Sequence, residues 1–187
     1  MNMFEIGHSL QRQFGPEPWT LYKGKHLLSF VDNHDVTRVA SILTNEKHLP
    51  LIYAMMVGMP GIPCIYYGSE WGEKAQEQQG SDANLRPCFD EPQTNELTEW
   101  ITKLAKAKKS SKALCYGGYT IRLMTNKQII FERAFEDERV MVAINADDQP
   151  FSAHFNAEAG RARDLITGEV HDFGGGSELP PYYAAFR

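Results

Sequence analysis

Asp32-Asn33-His34-Asp35 is the tightest group of proton-handling side chains in the sequence, and it follows the apolar run 26–31 (HLLSFV) without a break. Two carboxylates, an amide and an imidazole within one turn can bind hydroxyls, move protons or steady a cationic centre. At the end of a buried strand such groups are costly unless they meet one another or a polar ligand. Strand C-termini are also where α/β folds place their reactive groups. The plainer reading is that Asp32 and Asn33 cap the turn while His34 and Asp35 pair and stay inert. Glu70 follows Tyr67 by three residues and offers a second carboxylate. Facing Asp35 at about 5–5.5 Å, it would complete the pair that retaining cleavage of a glycosidic bond requires; otherwise it anchors a loop. Tyr66, Tyr67 and Trp71 can stack on sugar rings or serve as packing. In the loop 80–87 (GSDANLRP), Asp82 and Arg86 stand four apart. They can grip ligand hydroxyls through charge-assisted bonds or form an ordinary surface ion pair.

The elements that must position these residues show two textures, dividing near residue 110. Met3, Ile6, Leu10 and Phe14 fall at helical spacing before Gly15-Pro16. Residues 26–31 and 64–67 (CIYY) are predicted as buried strands. Residues 47–58 are predicted as a helix with Pro50 in its first turn, and 68–93 as a polar loop. Thr94 or Asn95 caps a further helix carrying Leu97, Trp100, Ile101 and Leu104. From residue 111 the period changes to two: ALCY, YTIRLM, QIIFERAF, RVMVAIN and FSAHF read as strands separated by turns. A hairpin is expected around Thr167-Gly168, and LPPYYAAFR as a closing strand. Seven or eight antiparallel strands would let this β module bury its own face and fold by itself. Two parallel strand–helix units, in contrast, cannot close a barrel, so the first part reads as the end of something larger.

Composition narrows the function classes. A (β/α)₈ barrel takes about 250 residues, more than the 187 present. The formal net charge of −5 speaks against a nucleic-acid binder, which needs a basic face. No uncharged apolar run of about 18 residues is available to span a membrane. The first residues lack the basic, apolar and cleavage regions of a signal peptide. Three cysteines without CxxC spacing suit free thiols, buried as small hydrophobes, in a cytoplasmic protein, and suggest no zinc site.

With these residues in view, the sequence resembles the α-amylase family, glycoside hydrolase family 13. LLSFVDNHDVTR is similar to the family's fourth conserved motif, and MPGIPCIYYGSEWG to the segment around its eighth barrel strand. GSDANLRPCFD resembles the following loop of the cyclomaltodextrinase, neopullulanase and maltogenic amylase types. The resemblance implies an α/β plus all-β chain: residues 1–110 as the last two strand–helix units of a (β/α)₈ barrel, and 111–187 as an antiparallel β-sandwich. It implies that Asp35 is the carboxylate that stabilises the transition state, that His34 hydrogen-bonds the same sugar, and that Asp82 and Arg86 hold the substrate. Glu70 matches a position without a catalytic role. The family's GxRxD nucleophile motif and its acid/base glutamate motif do not occur in these residues. The conserved asparagine that often helps bind calcium in the family is absent as well.

The expected function is therefore that of a C-terminal portion of a retaining α-glucan hydrolase acting on α-1,4, and by the same reading α-1,6, bonds of maltooligosaccharides or cyclodextrins. No organic cofactor or metal is expected. Its partners would be the glucan, the rest of the barrel, and other copies of itself through unpaired strand edges. The alternative is a non-enzymatic carbohydrate-binding or interaction module.

Overall fold

A computed structural model describes residues 2–187. Helix α1 (Met3–Phe14) starts where the Asn2 side chain accepts the N–H groups of Phe4 and Glu5, and it buries Met3, Gly7, Leu10 and Phe14. Strand β1 (Leu28–Ser29) pairs in parallel with β2 (Ile62–Pro63), with Leu28 opposite Ile62. Between them lie the short α2 (Val39–Ile42) and α3 (Leu49–Gly58), which carries Pro50 in its first turn and is buried on most sides. Gly61 holds a φ of +122°, and a Cβ there would stand 2.8 Å from the Leu27 carbonyl. A glycine is therefore what lets β2 approach β1. Helix α4 (Glu96–Ser110) opens on a reciprocal Asn95–Thr98 capping box.

The second texture begins with a difference from the sequence reading. Residues 112–116 form helix α5 (Lys112–Tyr116), not a strand, because the Ser111 hydroxyl caps the turn by accepting the Leu114 N–H. Strands β3 (Gly118–Met124), β4 (Gln128–Phe135), β5 (Glu138–Asn145) and β10 (Tyr183–Phe186) then build an antiparallel sheet in the order β10-β5-β4-β3. Two further antiparallel pairs flank it: β6 (Phe151–Ala153) with β9 (Ser177–Leu179), and β7 (Arg161–Arg163) with β8 (Val170–Asp172). The last pair is the hairpin expected around Thr167-Gly168.

Alternation along β4 assigns the two faces of the sheet. Ile129 and Phe131 join an apolar core shared with α1, α3, α4 and α5, while Ile130 packs with Ala153 and Leu179 on the opposite side. Helices thus cover the inner face that the β module was expected to bury by itself. One core runs through residue 110.

The strands of the first part also depart from expectation. The second lies at Ile62–Pro63, two residues before CIYY, and neither strand is buried: Leu28 is 60% and Phe30 50% exposed. These side chains line an apolar cleft of about 490 Å³ with Ile42, Ile52 and Met59. Cys64 and Cys88 are exposed and Cys115 is half-buried, so burial as small hydrophobes is corrected for the first two. Their loops lie at the surface.

Two buried cations join the parts. Lys108 donates from Nζ to the carbonyls of Val57 (3.0 Å) and Met59 (3.2 Å), and Arg133 of β4 donates to Gly58 (2.7 Å) and Gly117 (2.8 Å). Both occupy the C-terminus of α3, where unpaired carbonyls and the helix dipole favour positive charge. Burial, reinforced by Arg133, lowers Lys108 from 10.5 to about 8; the Cys115 thiol opposes the shift. Between pH 8 and 10.5 the unfolded chain therefore binds more protons than the folded one, and stability rises with pH, by about 3 kcal/mol over the whole window. Buried Tyr53 and Tyr119 act in the opposite sense, since their phenols stay protonated well above 10.0 and stability falls once the unfolded tyrosines ionise. Urea titrations are expected to show a maximum near pH 10, with the rising limb flattened in Lys108→Met. A stability difference between wild type and Lys108→Met that stays constant from pH 8 to 10 would refute this account.

Candidate active site

The site is assembled on the loops that follow β1 and β2, over a buried polar support. Asp32, 2% exposed, accepts the Ser69 hydroxyl (2.9 Å) and the Val39 N–H (2.9 Å). Ser69 in turn accepts from Arg38 Nη1 at 2.9 Å. Arg38 is fully buried and also donates to the carbonyls of Tyr67 (2.6 Å) and Leu85 (3.1 Å), with its guanidinium 4.2 Å over the Tyr66 ring. One side chain therefore ties the first loop to the turn at Ser69 and to the loop around Leu85. Tyr53 completes the support by donating to the Ser69 carbonyl at 3.1 Å; burial and the nearby Asp32 keep its phenol protonated.

The four side chains selected from sequence stand together on the rim of this support. Asn33 accepts the Asp35 N–H at 2.7 Å and turns the chain so that Asp35 faces Arg86. Arg86 Nη2 lies 2.9 Å from Asp35 Oδ1 and 3.1 Å from Asp82 Oδ2, and Arg86 Nε donates to the His34 carbonyl at 3.2 Å. His34 Nε2 is 3.2 Å from the other Asp35 oxygen. Asp35 and Arg86 are 51 residues apart in sequence, so the pairing is tertiary. It exists because buried Leu85 and the bonds from the Tyr66 and Tyr67 hydroxyls to Leu85 and Pro87 hold the second loop down.

The side chains of Asp35, His34 and Arg86 are about half exposed, at 58%, 56% and 47%. Exposed pairs of this kind add only ~0–1 kcal/mol to stability. The rim is therefore a poor stabilising device. As a recognition surface it presents two carboxylates, a guanidinium, an imidazole and the tyrosine phenols to solvent, a donor and acceptor set suited to a neutral polyhydroxylated ligand. Glu70 accepts the Thr98 hydroxyl on its backbone carbonyl at 2.9 Å, and its Oε2 is buried without a hydrogen-bond partner among the described residues. No group of three His, Cys, Asp or Glu is placed to hold a metal ion among the described residues.

Arg38 and Ser69 escaped the sequence reading. The available signal was an arginine three residues after Asp35 in a segment otherwise destined for the interior, a charge that must find buried acceptors.

Comparison with known proteins adds the following. The family described as alpha amylase, catalytic domain, matches residues 16–154. Cyclomaltodextrin glucanotransferase from Bacillus sp. (strain 1011) is 35% identical over 118 residues, 63% of this chain and 16% of that protein. The enzyme of the same name from Bacillus sp. (strain 6.6.3) is 31% identical over 149 residues, 80% of this chain and 20% of that protein. The chain thus spans a fifth or less of these relatives. Among solved structures, a cyclomaltodextrin glucanotransferase with a three-domain distribution superimposes with a TM-score of 0.83 at 22% identity, covering 99% of this chain and 40% of that one.

Proposed function

The chain belongs to the α-amylase catalytic-domain family, and from that premise we propose that it supplies the last two strand–helix units and the C-terminal β domain of a retaining α-glucan hydrolase or transglycosylase. Residues 1–110 are the barrel portion, with β1 and β2 as its seventh and eighth strands. Residues 111–187 are the β-sandwich portion. The observation that carries the reading is the convergence of Asp35, His34, Asp82 and Arg86 on one open rim at the C-terminal ends of two parallel strands. There Asp35 is the carboxylate that stabilises positive charge developing on the sugar ring, His34 bonds the same sugar, and Asp82 with Arg86 holds the neighbouring unit. Nucleophile and proton donor come from elsewhere in the barrel, on the other side of the scissile bond.

The substrates are α-1,4-linked maltooligosaccharides or cyclodextrins, with α-1,6 bonds within the same chemistry. A polypeptide extended upstream through a GxRxD motif and the acid/base glutamate is expected to release reducing sugar or transfer glucan from these substrates. The 187-residue chain alone is expected to do neither. Hydrolysis by the isolated chain that Glu70→Gln abolishes would overturn the assignment and restore Asp35 and Glu70 as the dyad.

The unpaired outer edges of β1 and β2 and the apolar cleft beside Leu28 and Phe30 support self-association of the isolated chain. Light scattering reporting a concentration-independent monomer would remove that part of the proposal. Exposed, unbridged Cys64 and Cys88 support a cytoplasmic setting.

A further inference from the structure

A cavity of about 180 Å³ lies where the segment before β1, the turn before β2 and the start of β3 meet. Lys23, Lys25, His26 and Arg133 line it together with Cys115, and its lining contains no aspartate or glutamate. None of Asp35, His34, Asp82 or Arg86 reaches it. We propose that this cavity is a binding site for a small tetrahedral oxyanion, inorganic phosphate, seated against Arg133 where the two parts of the chain join.

Three observations carry the assignment. The first is uncompensated charge. Arg133 is 1% exposed and Lys108 behind it 8%, yet among the described residues neither forms an ion pair, and nor do Lys23, Lys25 or His26. The end of α3 offers the two interior cations roughly half a negative charge, which leaves positive charge in excess. Burial lowers Arg133 from 12.5 to about 10, and no carboxylate opposes the shift. Interior charges are ordinarily paired, and an anion would supply the partner that the chain does not. The second observation is free donor capacity. A guanidinium carries five N–H groups, and the bonds from Arg133 to the carbonyls of Gly58, Gly117 and Gly118 leave one proton on each terminal nitrogen without an acceptor among the described residues. Gly117 and Gly118 themselves line the cavity, as do Pro60 and Gly61 just beyond the end of α3, so the guanidinium stands at the cavity wall. Lys23 donates to the Pro16 carbonyl at 2.7 Å, which holds its ammonium at the same wall. The third is size. Pockets for drug-sized ligands enclose about 300–1,000 Å³, and this smaller cavity suits an inorganic ion. A planar fork beside ammonium groups matches the oxygens of phosphate.

Alkylation of the intact chain with iodoacetamide, followed cysteine by cysteine in peptide mass spectra at rising inorganic phosphate and constant ionic strength, tests the proposal. Cys115 lines the cavity, whereas the exposed Cys64 and Cys88 do not. Phosphate is expected to slow alkylation of Cys115 saturably, by about threefold or more, because a seated anion covers the thiol and disfavours its thiolate. Cys64 and Cys88 are expected to react as before, and chloride at equal ionic strength is expected to protect none of the three. In Lys25→Ala/His26→Ala, an exposed pair outside the core, the half-protecting phosphate concentration is expected to rise about tenfold. Arg133→Met would also break the bonds to Gly58 and Gly117, so the exposed pair is the deciding variant. Protection that is absent, shared by Cys64 and Cys88, reproduced by chloride or unaltered in the double variant would overturn the site.

Discussion

Asp35→Asn, placed in the longer polypeptide that the proposed function calls for, is expected to lower turnover on maltooligosaccharides by roughly 10²- to 10³-fold, the scale of one preorganised electrostatic contact to a transition state. The carboxylate is already held in place: Arg86 grips one oxygen at 2.9 Å and His34 lies 3.2 Å from the other. When the sugar ring gains oxocarbenium character, a negative charge already fixed beside it needs no reorganisation. Asparagine keeps the shape and loses the charge, so the deficit should fall on kcat more than on KM. Stability is expected to change by no more than about 0.5 kcal/mol, because the side chain is more than half exposed and its ion pairs are screened. Initial rates and thermal melts of the two proteins decide it. Turnover within a few-fold of wild type would remove Asp35 from the reaction centre, and a large fall in melting temperature would make its role structural.

Arg38→Met is expected to be the most destabilising single substitution in the first half of the chain, at roughly 3–5 kcal/mol. The guanidinium has no solvent exposure, and its loss would remove three hydrogen bonds at once, to the Ser69 hydroxyl and the carbonyls of Tyr67 and Leu85, leaving Leu85 with only the Tyr66 hydroxyl at 3.3 Å. Buried Asp32 would keep its bonds from Ser69 and Val39 but lose the guanidinium linked to it through Ser69. At the size of this chain, such a loss corresponds to roughly 10 °C in melting temperature. Because Arg38 also positions Leu85, the loop carrying Arg86 should loosen, so rim binding should weaken even in molecules that remain folded. Arg38→Lys is expected to recover only part of the stability, since an ammonium cannot reproduce the planar fork that reaches three acceptors. A melt of Arg38→Met within about 2 °C of wild type would show that these bonds are dispensable.

What the sequence determined by itself was local. The spacing of Met3, Leu10 and Phe14, a cap at Thr94 or Asn95 and the period-two runs of β4 and β5 each encode their element through near-neighbour geometry, and the structure repeats them with Asn95 as the cap. The cluster DNHD was legible from its residue types alone, whereas Asp82 and Arg86 read locally as a surface pair and were joined to it only by the family resemblance. Tertiary structure decided the rest, because those outcomes depend on what lies opposite a residue, not beside it. Periodicity read ALCY as a strand, but the Ser111 hydroxyl and the packing of Ala113 and Leu114 into the core made it a helix. Apolar runs at 26–31 and 64–67 signalled burial, yet burial needs a covering partner, and here Leu28 and Phe30 face an open cleft. Lys108 and Arg133 carry no local sign of being interior, and Arg38 only its place in an otherwise apolar segment; the fold brings buried carbonyls to all three, at the ends of helices and turns. The Asp35–Arg86 contact joins residues with no local relation, and it exists because Arg38 and Leu85 hold two distant loops at one height above the strands.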